Sequence, residues 1–424
     1  MIPRTDPRTE SDQVGARHGW PQALVTVLAA LFAMAVTATL GLWAAGATGL
    51  PDGAFPRVVA ATVVTAVGGT VELSGNAGSL ADTSAGLDVI PLSVTLVGAL
   101  VLGAGFLRPL RHRAVASTRE LAGWAGGLLA LWLLVLIGVS LVARQTFSLS
   151  LGDSQLGDIG EELGASPKIG FETDMPLTLL FGVLWAAGVL VLALLVSRGA
   201  PLPPKLLRFQ ESVRPAAYAM VGLLLAYVAL GVVIGVVVAV TRGHAAETFA
   251  VVLLGLPNLV WLAFTLGLGV TWNGQVEGPF GLPMPHVLDE VLRGPDVSSL
   301  NVRTLADQDG RVWWLVVLAA VLLLVAAFVL AARSPRQTRA WQHAMHMAVA
   351  LALTVLMICL LGRITAHFGL SVLGIGDLGG DLGGELSLLP ELWSALGLAL
   401  LWGLVTGFLG ALLARPVRRR GDMP

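Results

Sequence analysis

The chain has 424 residues, of which 55% are apolar and only 12% charged, and its mean hydropathy is +0.81. This composition is that of a polytopic membrane protein and excludes an ordinary soluble domain, so the lipid bilayer is the expected partner. The formal net charge is −1 and no basic run is interleaved with aromatic residues, which argues against nucleic acid as a partner.

The N-terminal part of the chain is a mixed-charge leader, 1–22, followed by a long apolar stretch at 23–45. That stretch exceeds the apolar core of a cleavable signal peptide, so we interpret it as a retained first span. Uncharged stretches near the ~20 residues that cross about 30 Å of hydrocarbon recur along the chain. They predict an all-α, polytopic transmembrane helical bundle whose eight spans lie at 23–45, 89–107, 121–143, 175–197, 215–241, 312–332, 344–362 and 392–414.

Two further apolar stretches do not fit this pattern, because 58–71 is short for a span and 246–272 is interrupted by Pro257-Asn258. If both are re-entrant and return to the side they came from, the predicted inner segments hold 18 of the 26 Lys and Arg residues. The positive-inside rule then favours eight spans with both termini cytoplasmic. The alternative is ten spans, arranged as two inverted halves of five.

The same landmarks recur in two halves of the chain, which predicts an internal duplication. Gly69-Thr-Val-Glu72 matches Gly274-Gln-Val-Glu277, and Trp185 and Trp402 stand equally far before Arg198 and Arg415. The predicted organisation is a cytoplasmic tail at 1–22, a first membrane repeat at 23–198, a cytoplasmic linker at 199–214, a second repeat at 215–415 and a basic cytoplasmic tail at 416–424.

The two re-entrant stretches are where a pore or ligand site is expected. Non-helical backbone at membrane depth is tolerated only where it faces protein or a wet cavity, and two glutamates facing one passage could attract a cation. The competing interpretation, which the sequence favours, is that these glutamates are solvated at the outer interface, because an unpartnered carboxylate in hydrocarbon costs several kcal/mol. The candidate residues are Gly69, Glu72, Ser74, Asn258, Asn273 and Glu277.

Acidic, glycine-rich loops in both halves suggest a second kind of site. Asp158 and Glu162 in one half and Asp381 and Glu385 in the other offer oxygen ligands of the kind that Ca²⁺ or Mg²⁺ prefers. Neither loop has EF-hand spacing, so solvated connectors are the favoured interpretation. No metal site, cofactor motif or catalytic motif is found, and we expect no cofactor and no enzyme activity.

Three segments resemble the streptophobe family of actinobacterial membrane proteins: AVGGTVELSG at 66–75, LDVIPLSVTLVGALVLGAGFLR at 87–108 and MPLTLLFGVLWAAGVLVLALL at 175–195. The resemblance covers most of the chain, although its motifs are apolar and only moderately specific. It implies a multi-span plasma-membrane protein from a high-GC actinobacterium. It implies no activity, substrate or site residue.

The duplication and the re-entrant stretches favour a channel- or permease-like protein that handles a small solute or ion at a site between its two halves. No Asp, Glu, Lys or Arg lies within the eight predicted spans, which argues against a buried proton relay. The alternative is a non-catalytic scaffold whose Arg-rich inner loops contact anionic lipid or a protein partner. A third interpretation is a lipid-handling enzyme with a metal held by the outer carboxylates.

Overall fold

The computed structural model describes residues 7–50, 53–76, 81–110, 118–148, 168–197, 204–277, 298–334, 338–372 and 384–415. In these ranges the chain forms a bundle of long apolar helices, which confirms the predicted polytopic helical fold. The helices are α1 Pro7–Ala44, α2 Ala54–Ala66, α3 Leu92–Leu110, α4 Thr118–Val142, α5 Met175–Val196, α6 Pro204–Arg242, α7 Ala245–Gly267, α8 Val302–Ala306, α9 Trp314–Arg333, α10 Ala340–Leu361 and α11 Leu392–Leu413.

Nine helices in the described part of the chain are long and apolar enough to cross a membrane. Eight of them, α1, α3 to α6 and α9 to α11, correspond to the eight predicted spans. The ninth is α7, which covers most of the stretch 246–272. The expected interruption at Pro257-Asn258 is wrong, because α7 continues through both residues as one helix.

Besides the helices, the chain forms one antiparallel sheet of eight strands, which the sequence analysis did not predict. The spatial order is β3-β4-β1-β2-β7-β8-β5-β6, so the first half supplies four neighbouring strands and the second half the other four. The strands are β1 Val71–Asn76, β2 Ala81–Asp88, β3 Gln145–Ser148, β4 Lys168–Thr173, β5 Trp272–Glu277, β6 Ser298–Leu300, β7 Ile364–Val372 and β8 Gly384–Pro390.

Helix ends that lead into strands lie together, at what we call the sheet end of the bundle. Helix α1 packs antiparallel to α3, with Met34 against Gly98 and Thr26 against Gly105, so α1 runs toward the sheet end. The next helix, α2, therefore starts there, and it leads back into the sheet through β1. The α2–β1 segment is a re-entrant unit that enters and leaves at the same end.

The second half repeats this path. Gln210, near the start of α6, donates hydrogen bonds to the carbonyls of Leu194 and Ser197 at the end of α5, far from the sheet. Helix α7 packs antiparallel to α6 and leads into β5, so the α7–β5 segment also enters from the sheet end and returns to it. In both halves, therefore, the helix–strand unit has its two ends at the sheet end of the bundle.

The buried apolar residues divide in the same way as the chain. One cluster is built from α1 to α5, with Trp132 and Phe106 fully buried, and the other is built almost entirely from α6 to α11 and the strands of the second half. Trp272 and Phe264 lie fully buried in the second cluster. Each half thus has its own core, and the halves meet at α7 and along the junction of β2 with β7.

Candidate functional site

Each re-entrant unit reverses direction at a left-handed glycine. Gly68 has φ 91° and Gly269 has φ 90°, and each stands two residues after the last residue of the preceding helix, α2 or α7. The turn in the second half lies well below the sheet end, because Trp402, deep in α11, donates a hydrogen bond to the carbonyl of Leu268 at 3.1 Å. Both turns place irregular backbone among packed helices, which is where the bilayer tolerates it.

The two turns carry the same backbone hydrogen bonds, residue for residue. In each turn, the amide two residues after the C-cap of the preceding helix (α2 or α7) donates to a carbonyl in the last turn of that helix. In addition, the backbone amide of the N-cap residue of a later helix (α5 or α11) donates to the carbonyl of the threonine that precedes the strand (β1 or β5). The bonds are Gly69 N to Val64 O (3.0 Å) with Asp174 N to Thr70 O (3.3 Å), and Val270 N to Thr265 O (3.0 Å) with Glu391 N to Thr271 O (3.0 Å).

This correspondence corrects the landmark alignment of the sequence analysis. Gly69 corresponds to Val270 and Glu72 to Asn273, whereas the sequence pairs Gly69 with Gly274 and Glu72 with Glu277. Gly274 lies within β5, where it pairs with Ser298 and Leu388. The repeated letters Gly-x-Val-Glu are therefore four residues out of structural register.

Replacing Gly269 is expected to lower the stability of the protein, although no neighbouring atom obstructs a larger side chain. A Cβ there meets nothing closer than 3.9 Å, so the Gly269→Ala variant isolates the left-handed backbone. We expect a loss of about 1 kcal/mol in the free energy of unfolding, measured in mixed micelles, since L-residues disfavour this conformation. Gly188→Ala, in a helix with nothing within 4 Å, is the matched control and should be neutral or stabilising. Equal stability of the two variants would contradict a strained turn.

Asn258 does not lie at the tip of the re-entrant unit, as the sequence predicts, but in the middle of α7. Its Oδ1 accepts a hydrogen bond from the amide of Leu92 at 3.2 Å, and its Nδ2 donates to the carbonyl of Ile90 at 2.9 Å. Leu92 begins α3, whose first amides have no partner within their own helix. Asn258 therefore caps a helix of the other half.

A second contact between the same two helices is made by Ser93 of α3. Its Oγ donates to the carbonyl of Val252 at 2.8 Å and accepts from the amide of Leu256 at 3.2 Å, two groups that would bond each other in a regular α-helix. Pro257 follows directly, and proline disrupts the preceding turn of a helix. The Ser93 hydroxyl therefore bonds both a carbonyl and an amide of the turn that precedes Pro257. We call the four bonds made by Ser93 and Asn258 the α3–α7 clamp.

The sheet above the re-entrant turns has two chemically different faces. On one face Val71 and Phe171 pack against the buried Ala61, Val64 and Ala143, while Trp272, Leu300 and Leu388 belong to the core of the second half. Residues of the alternate register rows form the other face, since side chains alternate along a strand. Apart from Leu389 these are polar residues or glycines: Glu72, Ser74, Asn76, Asp82, Ser84, Gly86, Asp88, Thr146, Ser148, Lys168, Gly170, Glu172, Asn273, Gln275, Glu277, Ser299, Thr365, His367, Gly369, Ser371, Glu385 and Ser387.

Four of the six pore candidates belong to the register rows of the polar face: Glu72 and Ser74 on β1, and Asn273 and Glu277 on β5, with three strands between the two pairs. The remaining two lie apart from them, Asn258 in the clamp and Gly69 in the first turn. At Gly69 a Cβ would come within 2.5 Å of Val64 and 2.7 Å of Thr178, so this position is a close packing contact.

One register row crosses six strands and both halves. It runs Glu172, Glu72, Gly86, His367, Glu385, Glu277, and we call it the glutamate row. Residues directly opposite each other on antiparallel strands share a face, and like charges placed so are destabilising. At one end of the row Glu172 forms an ion pair with Arg144 at 3.6 Å, both side chains being largely exposed, and Glu72 is exposed beside it. The register thus places four glutamates in one row of the sheet.

Of the predicted cation ligands, Asp158, Glu162 and Asp381 lie outside the described residues. Glu385 is the second residue of β8 and belongs to the glutamate row, next to Glu277. Among the residues that the structure describes, no group of three His, Cys, Asp or Glu could hold a metal ion. The sequence analysis predicted neither the sheet nor a role for Ser93. The strands could have been found, because apolar and polar residues alternate along them, whereas Ser93 belongs to no recognisable motif.

Comparisons of the chain with protein-family models, with curated proteins and with solved structures found no match.

Proposed function

We propose that the protein is a channel- or permease-like membrane protein that passes small cations, with its sheet end facing outward from a plasma membrane. The observation that carries this proposal is the continuity of each re-entrant turn with a strand of one sheet whose polar face bears the glutamate row. Polar backbone at membrane depth beneath a polar surface is the usual construction of a solute pathway.

The proposal includes an internal duplication and membership of the streptophobe family. Support for duplication comes from the matched hydrogen bonds of the two turns and from the same strand order in each half. Paired re-entrant units of this kind mark solute sites in transporters built from repeats. The family assignment rests on the three apolar segments alone.

Electrostatics favours cations over anions at the sheet end. The glutamate row holds four glutamates and one histidine, and Arg144 pairs with Glu172 at one end of it. Surface charge of one sign raises the local concentration of the opposite ion. The eight predicted spans contain no charged side chain that could select an ion. Selectivity would therefore arise at the polar face of the sheet.

The experiment compares K⁺ and Cl⁻ flux in liposomes containing the purified protein. We expect K⁺ flux above that of empty liposomes, and a fall of about threefold or more in the K⁺ to Cl⁻ ratio when Glu72 and Glu172 are both changed to Gln, because Arg144 then dominates this part of the row. Glu247→Gln is the control: it removes one exposed carboxylate at the turn between α6 and α7, which belongs to no strand of the sheet.

Three outcomes separate the interpretations. A wild-type protein that passes neither K⁺ nor Cl⁻ nor glycerol would overturn the transport proposal in favour of the scaffold. Flux that is unchanged in the double variant would keep transport but remove the glutamate row from it. A drop that the Glu247→Gln control shares would point to general surface charge.

A further inference from the structure

The order of strands in the sheet repeats with the halves of the chain. Each half contributes its third, fourth, first and second strand in that spatial order, and the blocks join where β2 pairs with β7. Within the described residues β3 pairs only with β4, and β6 only with β5. These two strands end the sheet, yet β6 is the counterpart of β2, and β3 is the counterpart of β7.

Register fixes which residues correspond. Counting from the matched caps Asp174 and Glu391, Phe171 corresponds to Leu388, and their partners Gln145 and Ile364 correspond in turn. Continuing along the same ladders, Ser148 corresponds to His367, because Ser148 pairs with Lys168 as His367 pairs with Glu385. On the other side, Gly86 corresponds to Ser299, because Gly86 pairs with Glu72 and Ser299 with Asn273.

The junction between halves contains the pair Gly86 and His367. Its counterpart at the two ends of the sheet is Ser299 and Ser148. We propose that β6 pairs antiparallel with β3, with Ser299 opposite Ser148, and thereby closes the sheet into an eight-stranded barrel. The inference rests on the matched registers and holds whether or not the protein transports anything.

Strand stagger supports closure. The register row that starts at Glu72 in β1 reaches β5 at Glu277. The structural counterpart of Glu72 in β5 is Asn273, so the row shifts by four residues along the strands from one half to the other. Two halves advance it by eight, and a barrel requires such a fixed stagger for its strands to tilt and meet. Strand direction agrees as well, since alternating antiparallel neighbours make β6 antiparallel to β3.

Closure would place the polar face inside. The apolar face packs on helices at Val71, Phe171 and Trp272, so helices lie outside the barrel wall. An eight-stranded barrel has an interior just wide enough to be filled by side chains or to hold one small ligand. The glutamate row, which crosses six of the eight strands and advances along the barrel with the stagger, would then lie on the inner face of the wall. The hydrogen-bonding edges of β3 and β6, which otherwise invite association with other chains, would be satisfied.

Disulfide cross-linking tests the predicted register. In a Cys359→Ala background the Ser148→Cys, Ser299→Cys double variant is oxidised in native membranes, and the products are separated by mass and mapped by peptide analysis. Opposite residues on paired strands have Cα atoms about 4.5 to 5.5 Å apart, within disulfide range. We expect a cross-link within one chain, as efficient as that of the positive control, Asp82→Cys with Ser371→Cys, which pair across β2 and β7.

Thr146→Cys with Ser299→Cys is the register control, since residues two positions out of register are about 7 to 8 Å apart and should cross-link poorly. Closure in this register is overturned if the Ser148 and Ser299 cysteines stay reduced while the positive control oxidises, or if the Thr146 pair reacts equally well. Cross-linked dimers would overturn it too, because they would show that the edges pair between chains. Ion flux is not part of the readout, so failure here leaves the transport proposal standing.

Discussion

Replacing Asn258 with Leu is expected to lower the free energy of unfolding by about 2 to 3 kcal/mol. The substitution removes both hydrogen bonds that Asn258 makes to α3 and leaves the carbonyl of Ile90 and the amide of Leu92 without their partner. Buried polar groups left unpaired cost about 1 to 3 kcal/mol each, although hydrogen bonds within membranes have averaged nearer 0.6 kcal/mol. The larger value is expected here because the amide of Leu92 lies at a helix N-terminus, where no intrahelical bond can replace Asn258.

Leucine suits this position sterically. Asn258 lines an apolar pocket together with Trp261, Trp272 and Ile358, so a Leu side chain of similar size meets apolar surroundings. The change therefore tests the lost hydrogen bonds and not a clash. Midpoints of unfolding in mixed micelles give the measurement, with Thr37→Val as control, since the Thr37 hydroxyl bonds only the Ala33 carbonyl of its own helix.

A double-mutant cycle distinguishes a joint clamp from two separate contacts. Ser93→Ala removes the hydroxyl inserted between Val252 and Leu256, and α7 then has to close or widen its turn before Pro257. If both side chains hold one interface, the losses from Ser93→Ala and Asn258→Leu should overlap by about 0.5 kcal/mol or more. Strictly additive losses would contradict a joint clamp, and an Asn258→Leu variant within 0.5 kcal/mol of wild type would contradict its importance.

The membrane helices could be predicted from the sequence because each needs only a local property, an uncharged apolar run of sufficient length. The ends of α5 and α10 agree with the predicted spans within a few residues. Pro257 suggested an interruption, but the helix continues through it, and Ser93, distant in sequence, bonds the turn that precedes it. Asn258 and Leu92 stand 166 positions apart, so no local pattern could have linked them.

The sheet was missed for a different reason, since its signal was present. Residues 364–372, ITAHFGLSV, alternate between apolar and polar or small residues, which is typical of a strand with one face buried. These segments are much shorter than a membrane span, so a criterion based on membrane-length apolar runs predicts loops there. The Gly-x-Val-Glu alignment was out of register because it matched residue types without regard to backbone conformation. The backbone hydrogen bonds instead match Val67-Gly68-Gly69-Thr70 with Leu268-Gly269-Val270-Thr271, and both segments have a left-handed glycine at the second position.

Close helix packing in the second half yields the other large expected effect, at Gly403. A Cβ there would come within 2.4 Å of the Cα and 2.8 Å of the amide nitrogen of Ala348 in α10. At Gly407, one turn on, a Cβ would come within 2.8 Å of the Cα of Ala344, so α11 and α10 pack backbone to backbone along this line. Small residues allow such approaches where lipid provides no hydrophobic drive for association.

Gly403→Ala should therefore destabilise the protein by about 2 to 4 kcal/mol, since the obstructing atoms are backbone and cannot rotate away. The matched control is Gly397→Ala in the same helix, where nothing lies within 4 Å. That change should be neutral or add up to about 1 kcal/mol, because Ala favours a helix over Gly. Unfolding midpoints of the two variants in mixed micelles give the comparison. If both variants gained stability alike, α10 and α11 could not be as close as the structure places them, and the core of the second half would need a different packing.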